Sequence, residues 1–159
     1  MPFEIERKFL VKRDKLIFKD NGVFMSQAYL TEDPALTVRV RIAGEKAFLT
    51  IKGPSNGISR KEFEYSVPVN EAKEIMQLSI FPPLEKTRYK ITHRKILWEL
   101  DIFHGKNEGL ILAEVELQSE DQEIALPEWI DKEVSGDPRY FNSYLAKFPF
   151  QSWEENKLV

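Results

Sequence analysis

Repeatedly along the chain, two like charges stand two residues apart, among them Glu4 and Glu6, Arg39 and Arg41, Glu62 and Glu64, Lys86 and Arg88, Glu99 and Asp101, Glu114 and Glu116. In an extended strand residues i and i+2 share a face, so each pair repels itself unless counter-ions or a ligand compensate. The side-chain types say what chemistry this could serve. A carboxylate cluster in a chain with no cysteine, and with no histidines at ligand spacing, is a hard-oxygen donor set suited to Mg2+ or Mn2+. Clustered Arg and Lys are what a polyphosphate requires, because guanidinium groups fork onto phosphate oxygens. A metal beside a basic clamp is the equipment of phosphoryl chemistry.

The commoner routes to that chemistry are missing. Neither a GxxxxGK[ST] loop nor a GxGxxG turn occurs, which removes the usual glycine-rich phosphate cradles. His93 and His104 lie in turn-like segments and read as surface residues. Ser26, Ser66 and Ser135 have no nucleophile-elbow context.

The elements that must position the charges are strands. FEIERKFLV (3–11) alternates with period two, and so do FMSQAYLT (24–31), LTVRVRIA (36–43), KAFLTIK (46–52), SRKEFEYSVPV (59–69), LEKTRYKIT (84–92), KILWELDIF (95–103) and LILAEVELQ (110–118). Gly44-Glu45 predicts a hairpin between the third and fourth of these, and GPSNG (53–57) a loop. Residues 12–22 read as a turn or one short helix. Asn70 is expected to cap a helix carrying Ala72, Ile75 and Met76, stopped by Pro82-Pro83. DPRYFNSYLAKF (137–148) reads as a second helix, capped by Asp137 with Pro138 at its first position. About eight strands, few helices and short connections predict an antiparallel barrel or sandwich. In a barrel the charged faces could point inward, with acids and bases in separate clusters.

Composition narrows the partners. A chain of 159 residues is long enough for one domain with a substantial core. Charged residues make up 31%, above the roughly one quarter usual for soluble domains. Yet 23 Lys+Arg against 26 Asp+Glu leave a net charge of only −3, so nothing suggests a nucleic-acid or membrane-surface binder. No apolar stretch approaches a membrane span, and Glu4 and Glu6 stand where a signal peptide needs an apolar core. A soluble, cytoplasmic protein is the expectation. Oligomeric state is not legible, although an open barrel flank bearing Trp98 or Trp153 could support a homodimer.

The run E-I-E-R-K at residues 4–8 resembles the ExExK signature of the CYTH superfamily, the triphosphate tunnel metalloenzymes. QAYL (27–30), VRVR (38–41), LTIKG (49–53), SRKEFE (59–64), EKTRY (85–89), ELDIF (99–103), AEVELQSE (113–120) and DPRYFNSYLA (137–146) resemble that superfamily in order and spacing, across essentially the whole chain. The resemblance implies a mainly β (α+β) protein: a closed eight-stranded antiparallel barrel, a tunnel, with a few flanking helices. It implies that Glu4, Glu6, Glu62, Glu64, Asp101, Glu114 and Glu116 hold one or two Mg2+ or Mn2+ ions. It implies that Lys8, Arg39, Arg41, Lys52, Lys86 and Arg88 grip a triphosphate and act in catalysis, with Tyr29 in the tunnel and Arg139 joining by its place in the late motif. Glu99 has no clear role beyond pairing with lumen arginines. The compact length is similar to the short bacterial branch that hydrolyses inorganic tripolyphosphate. A class IV adenylyl cyclase, a thiamine or nucleoside triphosphatase, an RNA triphosphatase, and a polyphosphate-binding module without turnover are the alternatives.

Overall fold

A computed structural model describes residues 3–16 and 21–153. Nine strands form one antiparallel sheet: β1 (Phe3–Val11), β2 (Val23–Tyr29), β3 (Thr37–Ala43), β4 (Lys46–Lys52), β5 (Ser59–Val67), β6 (Leu84–His93), β7 (Ile96–Phe103), β8 (Ile111–Glu116) and β9 (Ile130–Glu133). Their order is β5-β4-β3-β2-β6-β7-β8-β1-β9, and pairing of β5 with β1 closes the first eight into a barrel. The closure is made by the start of β1, where Phe3, Glu4 and Ile5 face Lys61, Arg60 and Ser59. Further along, β1 pairs with β8 on one side and β9 on the other.

The ninth strand was not expected. Its four residues, IDKE, carry no apolar alternation; it is docked by backbone pairing with β1, by buried Ile130 and by the doubled Arg7–Glu133 contact at 2.8 and 3.0 Å. Arg7 lies on the outer face of β1 and its guanidinium sits over the Phe9 ring.

Apolar faces point outward and are covered. Phe9, Trp98, Leu100, Ala113, Val115 and Leu117 form a core on the outside of β1, β7 and β8, beneath Ile130 and Trp129. Trp98 is completely buried there, packed edge-on by Trp129 at 5.6 Å, so it offers no flank for a second copy. Trp153 lies against Tyr140 and Phe150 and donates its indole N–H to the Phe148 carbonyl. On the opposite wall helix α1 (Val69–Met76) approaches closely because the residues between are small: Ala28, Ala47 and Ala72 meet around Val40. This helix starts one residue before Asn70, with Pro68 in the capping position; proline cannot donate the N–H that a helix start leaves unpaired, which suits it to the entry.

The last expected helix is broken in two. Asp137 does accept the Arg139 N–H at 3.0 Å, but the turn it caps ends at Tyr140, Phe141 is extended, and helix α2 runs only from Asn142 to Lys147. The break lets Phe141 and Asn142 enter one end of the barrel. Leu10, Leu84, Phe103 and Leu112, the lumen-facing residues at that end of their strands, pack with Leu145 and Tyr140 into a plug. The barrel is therefore closed at this end. Of the 12–22 segment the structure shows a short turn at Arg13–Lys15; residues 17–20 lie outside the described residues.

Candidate active site

Above the plug the lumen is a cavity of about 400 Å³. Among the described residues seven acids line it, Glu4, Glu6, Glu62, Glu64, Glu99, Glu114 and Glu116, together with seven bases, Lys8, Arg39, Arg41, Lys52, Arg60, Lys86 and Arg88. Strand order sorts them. The acids lie on four consecutive strands, β7, β8, β1 and β5; β4, β3 and β6 carry bases, with Gln27 and Tyr29 of β2 set among them. Period-two geometry on each strand and antiparallel pairing between strands thus build two opposed walls, one suited to cations and one to anions. Lys8 and Arg60 stand within the acidic wall.

Register decides which charges meet. Lys8 lies opposite Glu114, Glu6 opposite Glu116 and Lys52 opposite Glu62. Lys52 Nζ donates to both oxygens of Glu4 at 3.0 and 3.2 Å, and Lys8 Nζ is 3.5 Å from Glu114. Arg88 donates to Glu99 at 3.2 Å, so Glu99 is the arginine partner the sequence suggested. Arg39 reaches Thr50, which in turn donates to Glu64. The Arg39 Nε–H is buried and has no hydrogen-bond partner among the described residues.

Asp101 behaves differently from the other carboxylates. It is fully buried and does not line the cavity. Lys86 donates to one oxygen at 2.7 Å, and Arg88 donates to both at 2.8 and 2.9 Å. Burial would push its pKa up, but Lys86 and Arg88 outweigh that and hold it far below the usual range. With both oxygens engaged by Lys86 and Arg88, Asp101 orients two cations and does not face the cavity. Arg139 also lies outside the lumen. Its guanidinium pairs with Asp137 at 2.8 Å and stacks over Tyr140 and Trp153.

The remaining acids are under mutual strain. Burial and the charges of Glu114 and Glu4 push Glu6 up to about 8. Burial and a hydrogen bond with Glu4 push Glu62 up to about 7, while that same bond and Lys52 overcome burial to pull Glu4 down. Glu114, buried beside Lys8 and Arg88, falls to about 2. Among the described residues no three carboxylates yet meet at one ligating point. The donor set nonetheless fits a hard divalent cation: all oxygen, crowded, and partly protonated for want of positive charge. Seating an ion requires small side-chain rotations, such as Glu4 leaving Lys52.

On the opposite wall Arg41 is the base with the least local compensation. Its one hydrogen bond among the described residues is from Nε to Gln27 Oε1 at 2.9 Å, and burial with Arg39 and Arg88 nearby pushes it down to about 10. Sequence reasoning missed Gln27 and Asn142, which are neutral, and gave Arg60 no role although it shares its face with Glu62 and Glu64. Arg60 is held at the rim by the Gly53 carbonyl at 2.7 Å. His104 sits outside the barrel against Phe24, 2.6 Å from Thr87 Oγ1.

The CYTH domain family model matches residues 2–141. The inorganic triphosphatase of Acetivibrio thermocellus is 47% identical over 153 residues, covering 96% of this chain and 98% of that protein. The inorganic triphosphatase of Nitrosomonas europaea is 38% identical over 151 residues, covering 90% and 96%. A crystal structure of an inorganic triphosphatase superposes with a TM-score of 0.63 at 37% identity, over 89% of this chain and 96% of that one. A Hippeastrum protein with a dominant triphosphatase activity superposes at 0.56 over 75% of this chain and 80% of its own, but at 12% identity that likeness shows the fold alone.

Proposed function

The chain belongs to the CYTH domain family, and we propose that it is a metal-dependent hydrolase of inorganic tripolyphosphate, working in a single barrel domain that spans residues 1–159. The observation that carries this reading is the pair of opposed walls in one blind cavity, lined among the described residues by seven carboxylates and seven cations, five of those cations on the wall opposite the acids. A polyphosphate-binding module would need only the second set.

Glu4, Glu6, Glu62, Glu64, Glu114 and Glu116 are the residues that would hold one or two Mg2+ or Mn2+ ions, and when bound the metal supplies charge neutralisation on phosphate oxygens and acidifies a water. Arg39, Arg41, Lys52, Lys86 and Arg88, with Lys8 from the other wall, bind the non-bridging oxygens and meet the charge that develops on the transferring phosphoryl group. Asp101 keeps Lys86 and Arg88 aimed at that charge. Burial among plug residues excludes bulk water from below, so these contacts act in a medium less polar than solvent.

The cavity favours a substrate that is all phosphate. Among the described residues its only aromatic linings are Tyr29 and Phe141, and the Lys8 ammonium already stands 5.7 Å over the Phe141 ring. Tyr29 is buried, with its hydroxyl bonded to Gln27, so among the described residues the cavity offers little for a nucleobase to stack on. We expect kcat/KM for tripolyphosphate to exceed that for ATP, thiamine triphosphate and long-chain polyphosphate when phosphate release is followed with Mg2+ and with Mn2+. Cyclic AMP as the main product from ATP would make the protein a cyclase, and tight binding without turnover in either metal would make it a binding module.

A further inference from the structure

A chain of hydrogen bonds at the closed end of the lumen fixes where donors and acceptors point. Arginine and a lysine ammonium can only donate. Arg41 Nε donates to Gln27 Oε1 at 2.9 Å, which leaves Gln27 Nε2 as a donor. That nitrogen donates to the Tyr29 hydroxyl at 2.8 Å and to Asn142 Oδ1 at 3.1 Å. Lys86 Nζ donates to the same Asn142 oxygen at 2.8 Å. The amide of Asn142 therefore cannot be turned round without setting donors against two donors. Its oxygen faces Lys86 and Gln27, and its NH2 group is left to face elsewhere.

Asn142 is among the residues that line the cavity. The plug of Leu84, Phe103, Leu112 and Leu145 closes off the space behind. A linear phosphate chain that enters from the open end must stop here, and its terminal phosphate is the part that arrives.

We propose that the Asn142 amide N–H is a specificity-determining contact, a neutral donor at the floor of the lumen that binds a terminal phosphate oxygen of tripolyphosphate and fixes how deep the chain sits. This rests on the triphosphatase reading above. A neutral donor suits the position: Lys86, Arg88 and Arg41 already crowd this end with positive charge, and a further cation would raise that repulsion. Hydrogen bonds to charged groups contribute about 1.5–3 kcal/mol, which corresponds to roughly ten- to hundredfold in affinity.

Two substitutions separate recognition from structure. N142D keeps an oxygen for Lys86 and Gln27 and replaces only the lumen-facing donor with a repelling oxygen. N142A removes both. Tripolyphosphate binding is measured by titration calorimetry in chelator, and kcat/KM with Mg2+. The expected result is that N142A weakens binding about tenfold, and that N142D, although its thermal midpoint stays at or above that of the wild type, weakens it about a hundredfold. If Asn142 merely anchors α2, N142D behaves as wild type in both readouts, and the inference is overturned. Failure of the wild-type protein to bind tripolyphosphate overturns the substrate reading and this inference with it, whereas normal wild-type binding with an unaffected N142D overturns the inference alone.

Discussion

Replacing Arg41 with alanine is expected to lower kcat/KM for tripolyphosphate by about a thousandfold, roughly 4 kcal/mol of transition-state stabilisation, while the thermal midpoint stays the same or rises. The two halves of that result have one cause. Arg41 has no acid within ion-pair distance among the described residues, and it lies near Arg39 and Arg88, which together with burial depress its pKa. In the free protein it is an uncompensated buried cation, and removing it relieves repulsion. In the complex it is the cation with most to gain from a phosphate oxygen. Asp101→Asn is the opposite case: it would unpair Lys86 and Arg88, and breaking a buried pair costs about 3–5 kcal/mol, so stability falls along with activity. Steady-state kinetics and thermal melts on both variants decide the matter. Turnover by Arg41→Ala near the wild-type rate would mean the basic wall is not the substrate site.

Exhaustive chelation is expected to abolish phosphate release, and Mg2+ or Mn2+ to restore it. The affinity for the ion should also rise with pH. With Glu6 pushed up to about 8 and Glu62 to about 7, Glu6 is largely and Glu62 partly protonated at neutrality without metal, and an entering cation must displace those protons. Acidification favours the protonated form that competes with the metal, so binding weakens as pH falls through 8 and then 7. A Mn2+ titration followed by electron paramagnetic resonance should show at least tenfold weaker binding at pH 6 than at pH 8.5, and Glu6→Gln should flatten that slope. Mn2+ affinity independent of pH would show that these carboxylates are not ligands.

Period-two parity exposed the lumen in the sequence because a strand leaves a side chain only two faces, and like charges on one face leave a conspicuous record. Parity says nothing about depth. Asp101 shares its face with Glu99, but the register that sets it opposite Arg88 places it beneath the cavity, where cations enclose it. Lys90 continues the face of Lys86 and Arg88 and is exposed outside the cavity. Neutral side chains such as Gln27 and Asn142 were invisible for a different reason: their role comes from a hydrogen-bond order joining residues 115 positions apart. Arg139 was placed by motif, and its stacking on Tyr140 and Trp153 depends on a helix break at Phe141 that local propensity does not reveal.

Because β1 pairs with β5, β8 and β9, the strand made before the other eight is among the last to be completed. Within the barrel its last partner strand, β8, ends at Glu116, so the barrel cannot close until β8 has emerged, and such distant pairings form slowly. Meanwhile both edges of β1 are unpaired, the condition under which strands join the wrong chain. The charges of Glu4, Glu6 and Lys8 oppose that encounter, so residues that serve the lumen would also guard the nascent strand. An E4Q/E6Q double variant should accordingly lose more protein to aggregation on refolding from denaturant than the wild type, and equal recovery would confine these carboxylates to their work inside the finished barrel.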